Sequence, residues 1–358
     1  MYDDKEDETF FKAWLRAHYA ETIRDRVPGS ENLDFDIIGV SFHKWVHENK
    51  EKLNLNKSED YEHFIDMFGK FTDIYLKIRD AENTFSEETK YVFYNAKVVF
   101  TQQILMLLAP INYEDSWETI IEKINLVAKF IDYWILSRVT RYKSMDYDAA
   151  KQAVFKYAKE LRHLSVLELK TKLNEYVIDL KYNPDAEIPN YGLNRQAKKY
   201  IKHILARVTS YIEEQTGSVS NYTRYMVDHT SNPFEIEHII TDHFEWFGDE
   251  YSDENDFKLW RNKIGSLLLL QKSINASLND KRYEEKLPKY CSATQGNIYS
   301  ATLGDITYEN NPQFCRFNEK NQIGFEPCRK FGKEEITKRN AIFVKLIRLI
   351  WNEKMFDN

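Results

Sequence analysis

The chain has 358 residues, 42% hydrophobic and 30% charged, so it has room for two or three domains and is too apolar to be disordered. A formal net charge of −7 gives no sign of a nucleic-acid binder, although a local patch can outweigh the total. No apolar run approaches membrane-spanning length, the N-terminal MYDDKEDETFF lacks the apolar core of a signal peptide, and three cysteines without CxxC spacing argue for a reducing, cytoplasmic setting and against a zinc knuckle.

Residues 1–230 read as almost wholly helical. ETFFKAWLRAHYAET (8–22) places Phe11, Trp14, Leu15 and Tyr19 on one face, and Pro28-Gly29-Ser30 ends that unit. Helical patterns recur near 39–53, 58–80, 86–108, 116–138, 146–162 and 165–180. Several open on Ser or Asp, good N-cap residues, and the short connections suit antiparallel helices. YNPDAEIPNYGL (182–193), with two prolines and a glycine, reads as a linker or long loop. NRQAKKYIKHILARVTSYIEEQT (194–216) is strongly amphipathic, burying Ala197, Ile201, Leu205, Val208 and Ile212. Arg195, Lys198, Lys199 and Lys202 lie on the other side, where a solvated face is the simplest account.

After Pro233 the texture changes. A strand-like stretch (234–241) precedes an acidic connection, then comes the apolar IGSLLLL (264–270), then a short helix-like piece (272–287). Residues 290–335 read as irregular, and a helix (336–351) closes the chain. Charge is sorted sharply here: residues 232–257 hold nine acids and no Lys or Arg, whereas residues 258–289 hold eight bases against three acids. Phosphodiester hydrolysis needs a base to activate water and a Lewis acid to take up charge, and a strand–strand–helix unit can supply both. In FEIEHIITDHF, His238 fits the base and Glu237 an oxygen ligand for a hard cation. Asn275, 37 residues after His238, fits the second ligand.

The combination F-E-I-E-H-I-I, W260-x-N-x-I-G-S-L-x-L-L and N275-x-x-x-N279-x-x-x-Y283-x-x-K286 resembles the C-terminal HNH domain of GmrSD-type modification-dependent restriction endonucleases. The motifs cover roughly 194–352 well and 1–190 loosely. The resemblance implies a mainly α protein with a small α+β part: a helical bundle or spacer (1–185), then a ββα-metal (HNH, His–Me finger) nuclease domain with flanking helices (186–358). It implies a Mg²⁺- or Mn²⁺-dependent endonuclease in restriction and phage defence, acting on foreign, often modified, DNA. Relatives carry an N-terminal nucleotide-binding domain with a D-G-Q-Q-R-like motif. No such motif is found here, so the resemblance implies either the C-terminal portion of a longer protein, partnered by a nucleotide-binding domain or subunit outside this chain, or a member that lost that domain.

The expected roles are these. His238 is the base, with Glu237 and Asn275 on the cation. Asn275 is preferred to Asn279, one turn away on the same face, because the family's asparagine falls there. Lys272, Lys281 and Lys286 hold DNA backbone or simply solvate a helix. Asp242 and His243 repeat the acid–histidine pair but fall past the strand, as supporting or surface groups. Ser266 stands where the family has asparagine, and a hydroxyl cannot copy an amide, which puts the order of that loop in question. Thr241 stands near a position where the family often has proline. Lys338, Arg339 and Arg348 read as surface charges, and Trp260 and Trp351 as core anchors. The rival reading is a nuclease-like scaffold that binds DNA or a partner subunit and cuts nothing; Glu237→Ala would leave its DNA affinity unchanged.

Overall fold

Apolar residues recurring every three to four positions fold most of the chain into helices, and the computed structural model describes residues 6–292, 294 and 296–357. The chain divides into two compact units. One runs to Arg138 and resumes over Lys143–Lys181 and from Lys354; the other takes Val139–Tyr142 and Tyr182–Glu353.

The first unit is built on α1 (Glu6–His18), α2 (Asp34–Glu48), α3 (Ser58–Asn83), α4 (Lys90–Lys97), α5 (Gln103–Leu108), α6 (Trp117–Val139, whose last residue falls in the second unit), α7 (Tyr147–Leu161) and α8 (Val166–Asp179). Asp146 and Ser165 cap α7 and α8 by accepting from the amides of Ala149 and Glu168. The single helix expected over 86–108 is instead two short ones, α4 and α5, separated by a turn in which Val99 takes a left-handed φ of 61°. Trp14, Phe71, Phe130 and Trp134 lie in its core. Arg162, just past α7, donates to the carbonyls of Arg16, Ala17 and Ala20, which satisfies the open end of α1.

The second unit holds α9 (Pro184–Glu187), α10 (Lys198–Gln215), α11 (Tyr222–Met226), β1 (Phe234–His238), α12 (Glu254–Arg261), β2 (Leu267–Gln271), α13 (Lys272–Leu278), α14 (Tyr283–Tyr290), α15 (Ile298–Ala301), α16 (Asp305–Asn310), α17 (Pro312–Lys320) and α18 (Lys333–Ile350). All five apolar residues expected on the inner side of α10 are buried. β1 and β2 pair antiparallel, with Phe234 opposite Gln271 and His238 opposite Leu267. Strand β1 is shorter than its apolar pattern suggests: from Ile239 the chain turns away, although the Ile239 amide still donates to Ser266 O at 2.9 Å. Helix α13 begins directly after β2 and packs on both strands. The expected single piece over 272–287 is broken into α13 and α14 at Asn279–Arg282, and the stretch expected to be irregular contains α15–α17.

A two-stranded sheet is marginal alone. Here every residue of Leu267–Leu270 is fully buried, and α10, α13 and α15 pack on β2. Helix α18 grips the turn that leads into β2. The Gly265 amide donates to Asn340 Oδ1 at 2.9 Å, and Arg339 Nε donates to Gly265 O at 3.0 Å. A Cβ on Gly265 would stand 2.7 Å from Asn340 Oδ1 and 2.8 Å from Ile336 O, so only glycine lets the turn approach this closely. Arg339, expected on the surface, is therefore 3% exposed and works as a clamp, its guanidinium also lying 4.5 Å over the Tyr299 ring. Trp351 is buried as expected, whereas Trp260 is only half-buried under the Lys263 and Lys333 ammonium groups.

Candidate active site

His238 ends β1, and its ring is held from the far end of the following connection. Helix α12 starts where the Asp253 carboxylate accepts from the amides of Asn255 and Asp256, and it ends at Asn262. Asn262 Oδ1 lies 2.9 Å from His238 Nε2. An amide oxygen only accepts, so Nε2 carries the proton and Nδ1 keeps its lone pair. Burial, reinforced by the nearby Arg261 and Lys286 cations, pushes the imidazole pKa down to about 4. A neutral imidazole with a fixed tautomer is what a general base requires.

Asn262 is itself held from behind. Its carbonyl accepts from the Leu193 amide at 2.7 Å, and Gly192 bridges to Lys263. A Cβ on Gly192 would fall 2.8 Å from Asn262 O. The Pro- and Gly-containing stretch 182–193 is thus more than a spacer: its last residues form the backing of Asn262.

Glu237 points elsewhere. Successive residues of a strand face opposite sides, and Glu237 reaches α14 while His238 reaches Asn262. Glu237 Oε1 accepts from Lys286 Nζ at 2.9 Å and from Tyr290 OH at 2.8 Å. Lys286 Nζ also donates to the His238 carbonyl at 3.0 Å. Both charged side chains are buried, with 6% of Glu237 and 2% of Lys286 exposed. Glu237 Oε2 accepts no hydrogen bond from the described residues.

The remaining expected residues are placed as follows. Asn275, on α13, is half-buried and makes no side-chain hydrogen bond among the described residues; none links it to Glu237 or His238. Asn279 is exposed at the end of α13. Lys272 and Lys281 are exposed and form no ion pair among the described residues, so they remain open to phosphate. Lys286 is the correction: an ammonium 2% exposed and spent on Glu237 and a carbonyl does not reach a DNA backbone. Asp242 is exposed, 3.8 Å from Arg261. His243 stacks on Trp246 at 4.2 Å and meets Glu245 Oε1 at 2.6 Å. Among the described residues no three His, Cys, Asp or Glu side chains gather as a metal cage. Glu237 is engaged by Lys286 and Tyr290 of α14, and no hydrogen bond among the described residues joins it to Asn275 on α13.

Ser266 is fully buried, and its hydroxyl finds no partner among the described residues. The loop whose order the missing asparagine put in question is fastened through its backbone: Ser266 N donates to Lys263 O at 2.9 Å, and Gly265 is gripped by α18. Ser266→Ala removes an unsatisfied buried hydroxyl, so it should leave stability unchanged or raise it by up to about 1 kcal/mol in urea unfolding. A loss above that would mean the hydroxyl is bonded in solution.

Two residues were not assigned roles from sequence. Asn262 stood inside the W260-x-N pattern, but nothing local says that it meets a histidine 24 positions earlier. Arg261, half-buried, donates from Nε to Ile240 O at 3.0 Å and bears on the same histidine.

Residues 185–346 match the family model of the C-terminal domain of GmrSD restriction endonucleases, which relates this segment to DNA-cutting enzymes. No curated protein and no solved structure matches the chain. No described helix is long and apolar enough to cross a membrane.

Proposed function

From that match and the geometry around His238, we propose that the chain is a divalent-metal-dependent DNA endonuclease of the ββα (HNH) type, working in defence against foreign DNA. The observation that carries the reading is the His238–Asn262 contact at the end of a strand whose antiparallel partner runs directly into a helix packed on both. His238 Nδ1 takes a proton from water, and the resulting hydroxide attacks phosphorus in line with the departing 3′ oxygen. Asn262 keeps the ring aligned and in the base-competent tautomer. Arg261 neutralises the approaching phosphate, while Lys272 and Lys281 hold the flanking backbone. Glu237 and Asn275 would hold Mg²⁺ or Mn²⁺, which when bound supplies positive charge to the phosphate and leaving oxygen. The defence setting and a preference for modified bases rest on the family alone.

The test is plasmid nicking at low salt with Mg²⁺, Mn²⁺ or EDTA, wild type beside Glu237→Gln. Cleavage in either metal, absent in EDTA and strongly reduced in the variant, is expected. Cleavage in EDTA would sink the metal-dependent reading. One observation favours a second reading: Lys286 already neutralises Glu237 Oε1, so this pair could serve as a structural brace, with the cation held elsewhere or the fold acting only as a DNA-binding scaffold. Calorimetric titration with Mn²⁺ separates the two, because a brace predicts the same heat for wild type and a folded Glu237→Gln.

The pH profile gives an independent check. The folded pKa of His238, about 4, is below the usual value near 6.5 for an unfolded chain. The unfolded state therefore binds more protons between those values. His238 contributes its full stability above pH 6.5, and that contribution is lost as pH falls towards 4. The base stays neutral over the same range, so single-turnover cleavage should be flat from pH 8 to about 5. An acid limb centred near 6.5 would show a solvated, unrestrained imidazole.

A further inference from the structure

The chain leaving His238 forms one wall of a cavity of about 350 Å³ that the proposed chemistry does not use. Ile239, Ile240 and Thr241 come directly from the end of β1; Arg282 and Tyr283 open α14; Phe331 and Gly332 precede α18. Its apolar wall is solid, with Ile239, Ile240, Tyr283 and Phe331 all buried. At its side the His243 ring lies 4.2 Å from Trp246, and the Arg282 guanidinium 4.3 Å over the same indole. Arg282 is exposed.

Four carboxylates border this space: Glu250, Glu284, Glu334 and Glu335. Three are engaged. Glu250 accepts from the Lys333 amide, Glu335 accepts from the Gly332 amide at 3.0 Å, and Glu334 pairs with Lys338 at 3.1 Å. Glu284 is exposed and makes no ion pair or hydrogen bond among the described residues. Four acids against Arg282 and Lys330 repel a phosphate. A flat, polarisable stack and one open carboxylate select a different part of a nucleotide. Aromatic and guanidinium planes stack on bases, and a carboxylate accepts from the amine of cytosine or adenine.

We infer that this cavity receives a single nucleobase swung out of DNA beside the scissile phosphate, one that bears an exocyclic amine. The base adds to the Trp246–Arg282 stack against Phe331 and Tyr283, and Glu284 accepts from the amine. The phosphates stay outside, towards Lys281. This rests on the nuclease reading for the identity of the polymer, but its test does not depend on cleavage.

Short duplexes carrying one bulged cytosine, one bulged thymine or one bulged abasic site are bound by the whole chain in EDTA, with affinity read by fluorescence anisotropy. Cytosine is expected to bind about tenfold tighter than the abasic bulge, with thymine between them. Trp246→Ala should erase the advantage of any base, and Trp246→Phe should retain most of it. Glu284→Gln, an exposed change that spares the stack, should bring cytosine and thymine to equal affinity. Equal binding of cytosine and abasic bulges by wild type would overturn the proposal, as would a cytosine preference untouched by both Trp246→Ala and Glu284→Gln. If base preference persists in EDTA while no DNA is cut in Mg²⁺ or Mn²⁺, the pocket stands and the nuclease reading falls.

Discussion

His238→Gly should lower the single-turnover cleavage rate by 10² to 10⁴-fold while DNA binding in EDTA stays within about twofold of wild type. The magnitude follows from what a positioned base contributes once binding and charge stabilisation are left in place. The ring is largely enclosed and its Nε2–H is bound by Asn262, so deletion leaves an imidazole-sized space with an acceptor at one end. Millimolar imidazole should therefore recover part of the lost rate, and the recovery should be saturable. A variant that cuts at more than a tenth of the wild-type rate, in a preparation shown free of host nuclease, would remove His238 from the role of base. A dead variant without rescue, whose circular dichroism is unchanged, would leave the role intact but show that the space has closed.

The second large effect concerns stability. Lys286→Met should cost about 3–5 kcal/mol in urea unfolding, because it strands the Glu237 carboxylate in a site with 6% exposure. Tyr290 remains as one donor, which does not replace the ammonium. Adding Glu237→Gln to Lys286→Met should restore at least half of the loss, since an amide can still accept from Tyr290 without a buried charge. A single-variant cost below about 1 kcal/mol would mean that water reaches the pair and that the ammonium is free to do other work. Measured beside Mn²⁺ titration, the same two variants also decide between the cation site and the brace.

Much of this was legible in the residues. Helical spacing announced α1, α3, α6–α8 and α10 because each buries one stripe, and the side chains of Asp146 and Ser165 marked two starts correctly. The alternating FEIEH and the apolar LLLL showed two strands. What failed had physical causes. A left-handed Val99 splits a helix without any glycine or proline to signal it. The burial of Arg339 and Lys286 could not be seen, because a long cationic side chain reads as solvated until its partner is known, and the partners are Gly265 and Glu237, 74 and 49 positions away. The same distance in sequence hid the role of Asn262. The pair Glu237–His238 looked like one site because the two are adjacent, yet strand pleating sends them to different neighbours.

The grip of α18 on Gly265 has a consequence for the newly made chain. The strand pair is complete at Gln271, but the asparagine that fastens the turn between its strands lies 75 residues after Gly265. At translation rates of about 5–20 residues per second, the ribosome extrudes both strands several seconds before Asn340 exists. Throughout that interval the turn into β2 lacks its anchor, so the strand pair waits for the last helix before its entry turn is fixed.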